Sequence, residues 1–379
     1  MKNVLVLMFL FFIVAACSKS EEGYRPEGGL AVSQDTVMVD AGEEILYLKT
    51  GLYQSVLSDD RRYLYNFDAD RSQVEKIDLE ELKLVGATPY EKEGPNGVGQ
   101  YVYRIFSAPS DEFFILSFDR GGIFDQQGNK KKSVSLKPQD LSGDELKVNE
   151  NMFSGVIPNS DPNKLYGTFS NFHEEEFYFG VIDLEEKSLK KVTFPEQEYQ
   201  KDYFFSWVNE KGMPMVMMGP NYFVNQAKDK VFITNNVDNS IHIYNPEDGL
   251  VEKKEMDNQL FAHRKTGKYK KTIDSQEEFN KAMADFKKEI AFSQPVWDEK
   301  NERFLRFSYL TESKQDAEGN NKSSSKVWLS AFDTDLNLLG ETFLEGLTKI
   351  PAHHFVKDGQ IWMFENMDDE LGFVRFTVE

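Results

Sequence analysis

The first copy of a recurring motif reads Tyr63-Leu-Tyr-Asn-Phe67, a polar turn, and Val74-Glu-Lys-Ile-Asp78. Each half has the length of a strand and is rich in aromatic or β-branched residues. The turn between the halves contains Asp, Arg and Ser, which favour reversal of the chain. The motif therefore predicts two adjacent antiparallel strands, followed by a turn into a third.

Five further copies follow. They are Phe113–Phe118 with Gly122–Asp125, Glu176–Asp183, Val231–Thr234 with Ser240–Asn245, Val327–Asp333, and Gln360–Phe364 with Gly372–Val378. The residue that ends the second strand recurs at Asp78, Asp125, Asp183 and Asn245, in steps of 47, 58 and 62 residues. This spacing fits four-stranded propeller blades better than the strands of a sandwich. We predict an all-β propeller with six blades, and seven remain an alternative.

The step from Asn245 to Asp333 is 88 residues, which is too long for one blade. Ser275 and Glu278 match a helix capping box, and apolar residues follow them at helical spacing. We predict an amphipathic helix over residues 274–290, within an insertion at about residues 257–292.

The two ends of the ring are predicted to meet in one blade. The last copy reaches Glu379 without a strand after it, and an unpaired edge favours aggregation. Thr36–Asp40 and Glu44–Leu48, separated by a turn at Gly42, are candidates to complete that blade from the N-terminal side.

The N-terminus has the pattern of an export signal. Lys2 precedes an apolar run over Val4–Val14, which is too short to span a bilayer. The end of this run, Val14-Ala-Ala-Cys17, resembles the lipobox of bacterial lipoproteins, which implies cleavage after residue 16 and acylation of Cys17, including palmitate. An ordinary signal peptide with a chance cysteine is the alternative.

Residues 17–35 are predicted to form a flexible tether, because they are poor in large apolar residues and contain several glycines. The acidic stretch Ser18–Glu22 resembles the signal that sends Bacteroidota lipoproteins to the outer face of the outer membrane, although a solvated tether also explains it. We expect a lipid-anchored outer-membrane protein, at the cell surface or the periplasmic face, with a single propeller domain over residues 36–379.

Composition limits the partners. The formal net charge of -20 argues against nucleic acid, whose phosphates require clustered Lys and Arg. The 31 Phe and 16 Tyr residues indicate strands around a large aromatic core.

No motif predicts a catalytic residue, a metal site or a cofactor. Gly94–Gly99 lacks the spacing of a dinucleotide loop, and the segment from His173 to Phe177 lacks the second histidine of a zinc helix. Asp68–Ser72 and Asp316–Asn320 resemble calcium loops, but neither has the closing glutamate in register. We interpret Gly94–Gly99 as a structural turn and the segment from His173 as the start of a strand. The two calcium-like stretches are interpreted as polar hairpin loops.

One group of residues is a candidate ligand site beside the insertion. It consists of Trp297, Asp298, Arg303, Arg306 and His263. An arginine on the rim of a propeller could bind a carboxylate or a sugar acid through two hydrogen bonds. Alternatively, Trp297 belongs to the core of a blade and the two arginines anchor neighbouring acids.

Several stretches together resemble a family of Bacteroidota lipoproteins that is classed as a domain of unknown function. They are Thr36–Leu48, Tyr63–Asp68, Val296–Phe307 and Phe355–Gly359. The resemblance covers nearly the whole mature chain and implies a propeller, similar in part to NHL propellers, in the cell envelope. It implies no activity and no site residues.

Three functions are compatible with these patterns. The favoured one is a non-enzymatic binding or scaffold module for a glycan, a peptide or a protein partner, because no catalytic motif is present. The second is an extracellular hydrolase or lyase with its site at the central channel. The third is a structural subunit of an outer-membrane complex.

Overall fold

The computed structural model describes residues 29–117, 120–171, 173–194, 198–315 and 321–379. The predicted signal peptide, Cys17 and the predicted loop Asp316–Asn320 lie outside these residues. The first strand is β1 (Val32–Met38). Blade 1 contains β2 (Ser55–Leu57), β3 (Tyr63–Asp68), β4 (Gln73–Asp78) and β5 (Lys83–Pro89). Blade 2 contains β6 (Arg104–Ala108), β7 (Glu112–Ser117), β8 (Arg120–Phe124) and β9 (Lys130–Ser135).

The middle of the chain forms two more blades and part of an insertion. Blade 3 contains β10 (Ser142–Gly143), β11 (Asn151–Val156), β12 (Lys164–Asn171), β13 (Glu176–Asp183) and β14 (Ser188–Val192). The insertion begins with β15 (Phe205–Val208) and β16 (Pro214–Met218). Blade 4 contains β17 (Tyr222–Ala227), β18 (Lys230–Asn235), β19 (Ser240–Tyr244) and β20 (Val251–Glu255).

The last third completes the insertion and the ring. The insertion resumes with β21 (Thr272–Ile273) and α1 (Gln276–Lys288). Blade 5 contains β22 (Ala291–Phe292), β23 (Val296–Asp298), β24 (Arg303–Gln315), β25 (Asn321–Phe332) and β26 (Leu338–Phe343). Blade 6 contains β27 (His354–Lys357), β28 (Gln360–Met367) and β29 (Glu370–Val378), with β1 as its outer strand. Short 3-10 helices occupy Pro109–Asp111, Pro138–Asp140 and Glu198–Tyr203.

Each blade packs on the next through an apolar cluster that takes side chains from both. The pairs include Tyr65 with Phe113, Phe114 with Leu165, Phe179 with Val231, Phe232 with Phe304, Leu305 with Ile361, and Trp362 with Leu64. The last pair joins blade 6 to blade 1, so the ring closes. Among the described residues the propeller therefore has six blades, as predicted, and the additional sheet of β15, β16 and β21 belongs to the insertion.

The predicted closure of the ring by both chain ends is confirmed. Strand β1 pairs antiparallel with β29 along its whole length, from Val32 opposite Val378 to Met38 opposite Gly372. Because strand pairing already begins at Val32, the predicted tether of residues 17–35 extends too far. Asp35 lies in the strand and forms an ion pair with Arg375. The second predicted segment, Glu44–Leu48, forms no strand and instead buries Leu46 between blades 6 and 1.

The repeated acid or amide of the motif stabilises a turn. In blades 1 to 5 its side-chain oxygen accepts a hydrogen bond from the backbone N–H two residues later, at the turn between the third and fourth strands. The turns are those of Asp78, Asp125, Asp183, Asn245 and Asp333. Blade 6 needs no such residue, because its fourth strand comes from the N-terminal side.

The direction of the strands defines two faces of the ring. We call the end where the innermost strand of each blade begins the upper face, and the opposite end the lower face. The outer strands run back to the upper face, so the insertion between blades 3, 4 and 5 lies on that face. Strand β1 runs opposite to β27 and therefore starts at the lower face.

The insertion has its own small core. The predicted helix is present as α1, slightly shorter than predicted, and the hydroxyl of Ser275 accepts a hydrogen bond from the backbone N–H of Glu278 as a helix cap. Phe279 and Phe286 pack against Phe205 of β15 and against the upper turn of blade 4. Within the described ranges, no helix has the length and apolar character needed to cross a bilayer.

Candidate functional site

The centre of the ring contains a cavity of about 820 Å³. The innermost strands of all the blades contribute to its wall, from β2 in blade 1 to β27 in blade 6. This volume lies within the range of small-molecule sites, about 300–1,000 Å³. The cavity is the place where distant parts of the sequence meet.

The upper mouth of the cavity combines aromatic and polar side chains. Tyr53, Tyr309 and the ring of His353 line it together with Arg104. The ring of Tyr53 meets that of His353 edge to face at a centroid distance of 6.0 Å. Amide side chains complete the upper wall, and they belong to Asn221, Asn236 and Gln294.

Arg104 stands at the first position of β6 and is half-buried. Its Nε donates to the carbonyl oxygen of Phe153 at 3.2 Å, and its Nη1 donates to the carbonyl oxygen of Tyr103 at 2.9 Å. In the part of the chain that the structure describes, Nη2 has no hydrogen-bond partner and no carboxylate lies within ion-pair distance of the guanidinium. Burial lowers the pKa of Arg104 from its ordinary value. The group nevertheless stays charged at neutral pH, since a free guanidinium has a pKa above about 12.

The other titratable groups at the mouth are neutral at pH 7. Burial, with a smaller contribution from the neighbouring His354, lowers the pKa of His353 to about 4. Burial raises the pKa of Tyr309 to about 12 and also raises that of Tyr53. Arg104 therefore supplies the charge among the described residues of the upper mouth.

Hydrogen bonds join different blades at the lower end of the cavity. Arg61, from the turn after β2, donates through Nη1 to the carbonyl oxygens of Val356 at 2.5 Å and Trp297 at 3.3 Å. The amide of Asn159 in blade 3 lies 3.4 Å from a carboxylate oxygen of Asp59 in blade 1. These contacts link the walls at the lower end, where Asp59 and Asn159 are themselves exposed.

The structure separates the residues of the predicted ligand site. Trp297 lines the lower part of the cavity and packs on Phe304 at a centroid distance of 4.8 Å. Asp298 is fully buried and accepts a hydrogen bond from Nε of Arg303 at 3.1 Å. This pair fixes the hairpin of blade 5, which agrees with the alternative that the arginine anchors a neighbouring acid.

Arg306 and His263 lie elsewhere. Arg306 is 1% exposed and sits between blades 4 and 5, where it donates to carbonyl and amide oxygens and not to acids. His263 is exposed on the upper face, and its backbone carbonyl accepts from the N–H of Asn239. The five residues therefore do not form one cluster, because alternating strand positions send their side chains to different neighbours.

Two of the remaining motifs form a loop and a turn in the described residues. Gly94–Gly99 forms a loop between blades 1 and 2, in which the carbonyl oxygen of Gly97 accepts from Nζ of Lys130 at 2.6 Å. Asp68 caps the hairpin of blade 1 by accepting from the backbone N–H of Asp70. The described residues contain no group of three or more His, Cys, Asp or Glu side chains that could hold a metal ion.

The sequence patterns did not identify Arg104. Arg104 follows the glycine-rich loop and is the first residue of a short strand. Two aromatic residues, Tyr101 and Tyr103, come just before it in the sequence. A cation beside aromatic residues at the start of an innermost strand is the signal that could have pointed to it, once the blade register was known.

The sequence matches the profile of a family described as Domain of unknown function (DUF4221) over residues 28–343. The fold is similar to a crystal structure of a DUF4221 member from Bacteroides vulgatus ATCC 8482, at 13% identity and a TM-score of 0.63, covering 93% of this chain and 99% of that one. A protein from Bacteroides fragilis NCTC 9343, described as exported, is similar at 10% identity and a TM-score of 0.52, covering 92% and 95%. No curated protein matches the sequence.

Proposed function

Since the chain belongs to the family described as Domain of unknown function (DUF4221), which implies no activity, we propose a function from its geometry. We propose that the protein is an exported, lipid-anchored binding module that takes a ligand at the upper mouth of its central cavity. The ring is the rigid scaffold, and the loops and first strand residues at the mouth provide recognition.

The cavity is the observation that carries this proposal. It is about 820 Å³ in volume, and its wall at the upper end combines aromatic rings with a few convergent polar groups. This combination is typical of sites that bind small molecules or the end of a polymer.

Binding is better supported than hydrolysis. Glycoside hydrolysis ordinarily uses two carboxyl groups on opposite sides of the scissile bond. Among the described residues that line the cavity, Asp59 is the acidic one, and it lies at the lower end. The wall therefore offers groups for recognition but no acid pair for catalysis.

The proposed anchor is consistent with the orientation of the ring. The N-terminal pattern with Cys17 favours export and acylation, and the similar Bacteroides fragilis protein is described as exported. Because β1 starts at the lower face, a membrane tether leading to Val32 leaves the upper mouth facing away from the membrane. Labelling with radioactive palmitate tests the anchor, and equal labelling of Cys17→Ala would overturn it.

A glycan array tests the proposed site with two matched variants of the purified protein. Asn221→Trp adds bulk at the mouth, whereas Asn149→Trp adds the same side chain at an exposed position outside the cavity. We expect binding to be lost in the first variant and kept in the second. Retained binding in Asn221→Trp, or no binding by the unaltered protein, contradicts a glycan site at the mouth.

A further inference from the structure

We propose that the upper mouth recognises a carboxylate on an acidic saccharide, a uronic acid, through Arg104. This inference deepens the proposed function and rests on it, because it assigns a ligand class to the same site.

The charge distribution is the first argument. The protein has a formal net charge of -20, which repels anions from its surface. The described residues at the upper mouth nevertheless present a guanidinium and no carboxylate. An anionic ligand is therefore repelled by the acidic surface and attracted by the positive charge at the mouth. This difference favours binding of the anion at the mouth over other parts of the surface.

The incomplete hydrogen bonding of Arg104 is the second argument. Nε and Nη1 hold backbone carbonyl oxygens of Phe153 and Tyr103, and these contacts fix the plane of the guanidinium. In the described structure Nη2 is left without a protein acceptor. A half-buried cation without a counter-ion is costly, and a ligand carboxylate would offset that cost by an ion pair with a charge-assisted hydrogen bond.

The surroundings indicate a saccharide. Tyr53 and Tyr309 line the same mouth as Arg104 and provide aromatic rings and phenol groups, and Asn221, Asn236 and Gln294 line it with them. Amides both donate and accept hydrogen bonds, which suits the hydroxyl groups of a sugar. A peptide carboxylate would use the arginine equally well but would leave most of these amides without hydroxyl partners.

Isothermal titration calorimetry with trigalacturonate and its methyl ester tests this inference. The two probes have the same skeleton and differ in charge, so the comparison within the unaltered protein does not depend on any variant folding. We expect the ester to bind at least about tenfold more weakly, since a hydrogen bond between charged groups contributes roughly that much.

Variants then assign the effect to one residue. Arg104→Gln should weaken trigalacturonate binding by at least about tenfold, and Arg104→Lys should restore part of it. Arg375→Gln is the matched control, because it removes the same charge on the outside of blade 6. It should leave binding unchanged.

The outcomes separate this inference from the proposed function. Equal binding of acid and ester, with loss of both in Asn221→Trp, keeps a site at the mouth but overturns the role of Arg104. Tighter binding of trialanine than of trigalacturonate overturns the saccharide in favour of a peptide. No binding of any probe also overturns the acidic saccharide, and the array alone then decides the proposed site.

Discussion

Two arginines in this propeller occupy contrasting environments. Arg306 lies between blades 4 and 5, where Nε, Nη1 and Nη2 donate to Ser293 O, Asn239 Oδ1 and Asn235 O at 2.8 to 2.9 Å. Arg104 lies at the cavity mouth, where one nitrogen of its guanidinium lacks a described acceptor. Neither forms an ion pair with a described carboxylate. Hydrogen bonds from every nitrogen are expected of a structural arginine such as Arg306. In our proposal, the nitrogen of Arg104 that has no described acceptor is the one that binds a ligand.

Stability should separate the two arginines most strongly. Arg306→Met leaves three buried oxygens without donors, so we expect it to lower the free energy of unfolding by about 3–5 kcal/mol. Position 104 borders the solvent-filled cavity, so Arg104→Met should lower the free energy of unfolding by about 1 kcal/mol or less. Urea denaturation of both variants measures the difference. Similar losses of unfolding free energy in the two variants would contradict the proposed difference between the two arginines.

Lys265 extends the comparison to a buried cation that can lose its proton. Its Nζ donates to the carbonyl oxygens of Phe286 and Glu289 at the end of α1, and burial lowers its pKa to about 8. Between pH 8 and about 10.4 the unfolded chain holds a proton that the folded chain has released. Folding stability should therefore rise with pH in this window, by up to ~1.4 kcal/mol per pH unit.

The variant Lys265→Met removes the titratable ammonium group and keeps an apolar side chain of similar length. Urea denaturation at pH 8, 9 and 10 should show the rise in the unaltered protein and a flatter profile in the variant. An identical slope in both proteins would show that Lys265 is not the group responsible.

The smallest expected effect concerns an acid that is exposed to water on one side. Asp183 caps the hairpin of blade 3 and pairs with Lys164 at 2.6 Å, and these contacts lower its pKa to about 2. Its contribution to stability is full above pH 4 and is lost as the pH falls toward 2. We expect Asp183→Ala to cost about 2 kcal/mol at pH 7.

Blade 4 provides the matched control, because Asn245 caps the equivalent turn without a charge. Asp183→Asn should keep the turn, cost about 1 kcal/mol or less, and remove this part of the acid dependence. Acid titration followed by circular dichroism distinguishes the variants. An Asn variant as unstable as the Ala variant would mean that the ion pair, and not the turn, carries the effect.

The sequence predicted most of the ring because its signals are local. Apolar strands, Asx turns and the helix cap at Ser275 all depend on residues within a few positions of each other. The sheet of the insertion escaped prediction because β21 is two residues long and pairs with β15 from more than sixty positions away. A pattern of neighbouring residues in the sequence cannot predict a pairing over that separation.

The candidate site was harder to predict for a related reason. Arg104, Tyr309 and His353 meet in the cavity although they belong to three different blades. The predicted group around Trp297 relied on closeness in sequence, but neighbouring strand residues face opposite sides of a sheet. Residues next to each other in the chain were therefore separated, and distant ones were joined.

The closure of the ring by β1 has a mechanical consequence. In the proposed anchoring, a ligand held at the upper mouth and a tether fixed below pull on the protein along the direction of β1. The hydrogen bonds of an antiparallel pair lie across that direction, so all seven residues from Val32 to Met38 share the load at once. Under the proposed anchoring, the blade that joins the two chain ends would therefore resist shear between a bound ligand and the membrane.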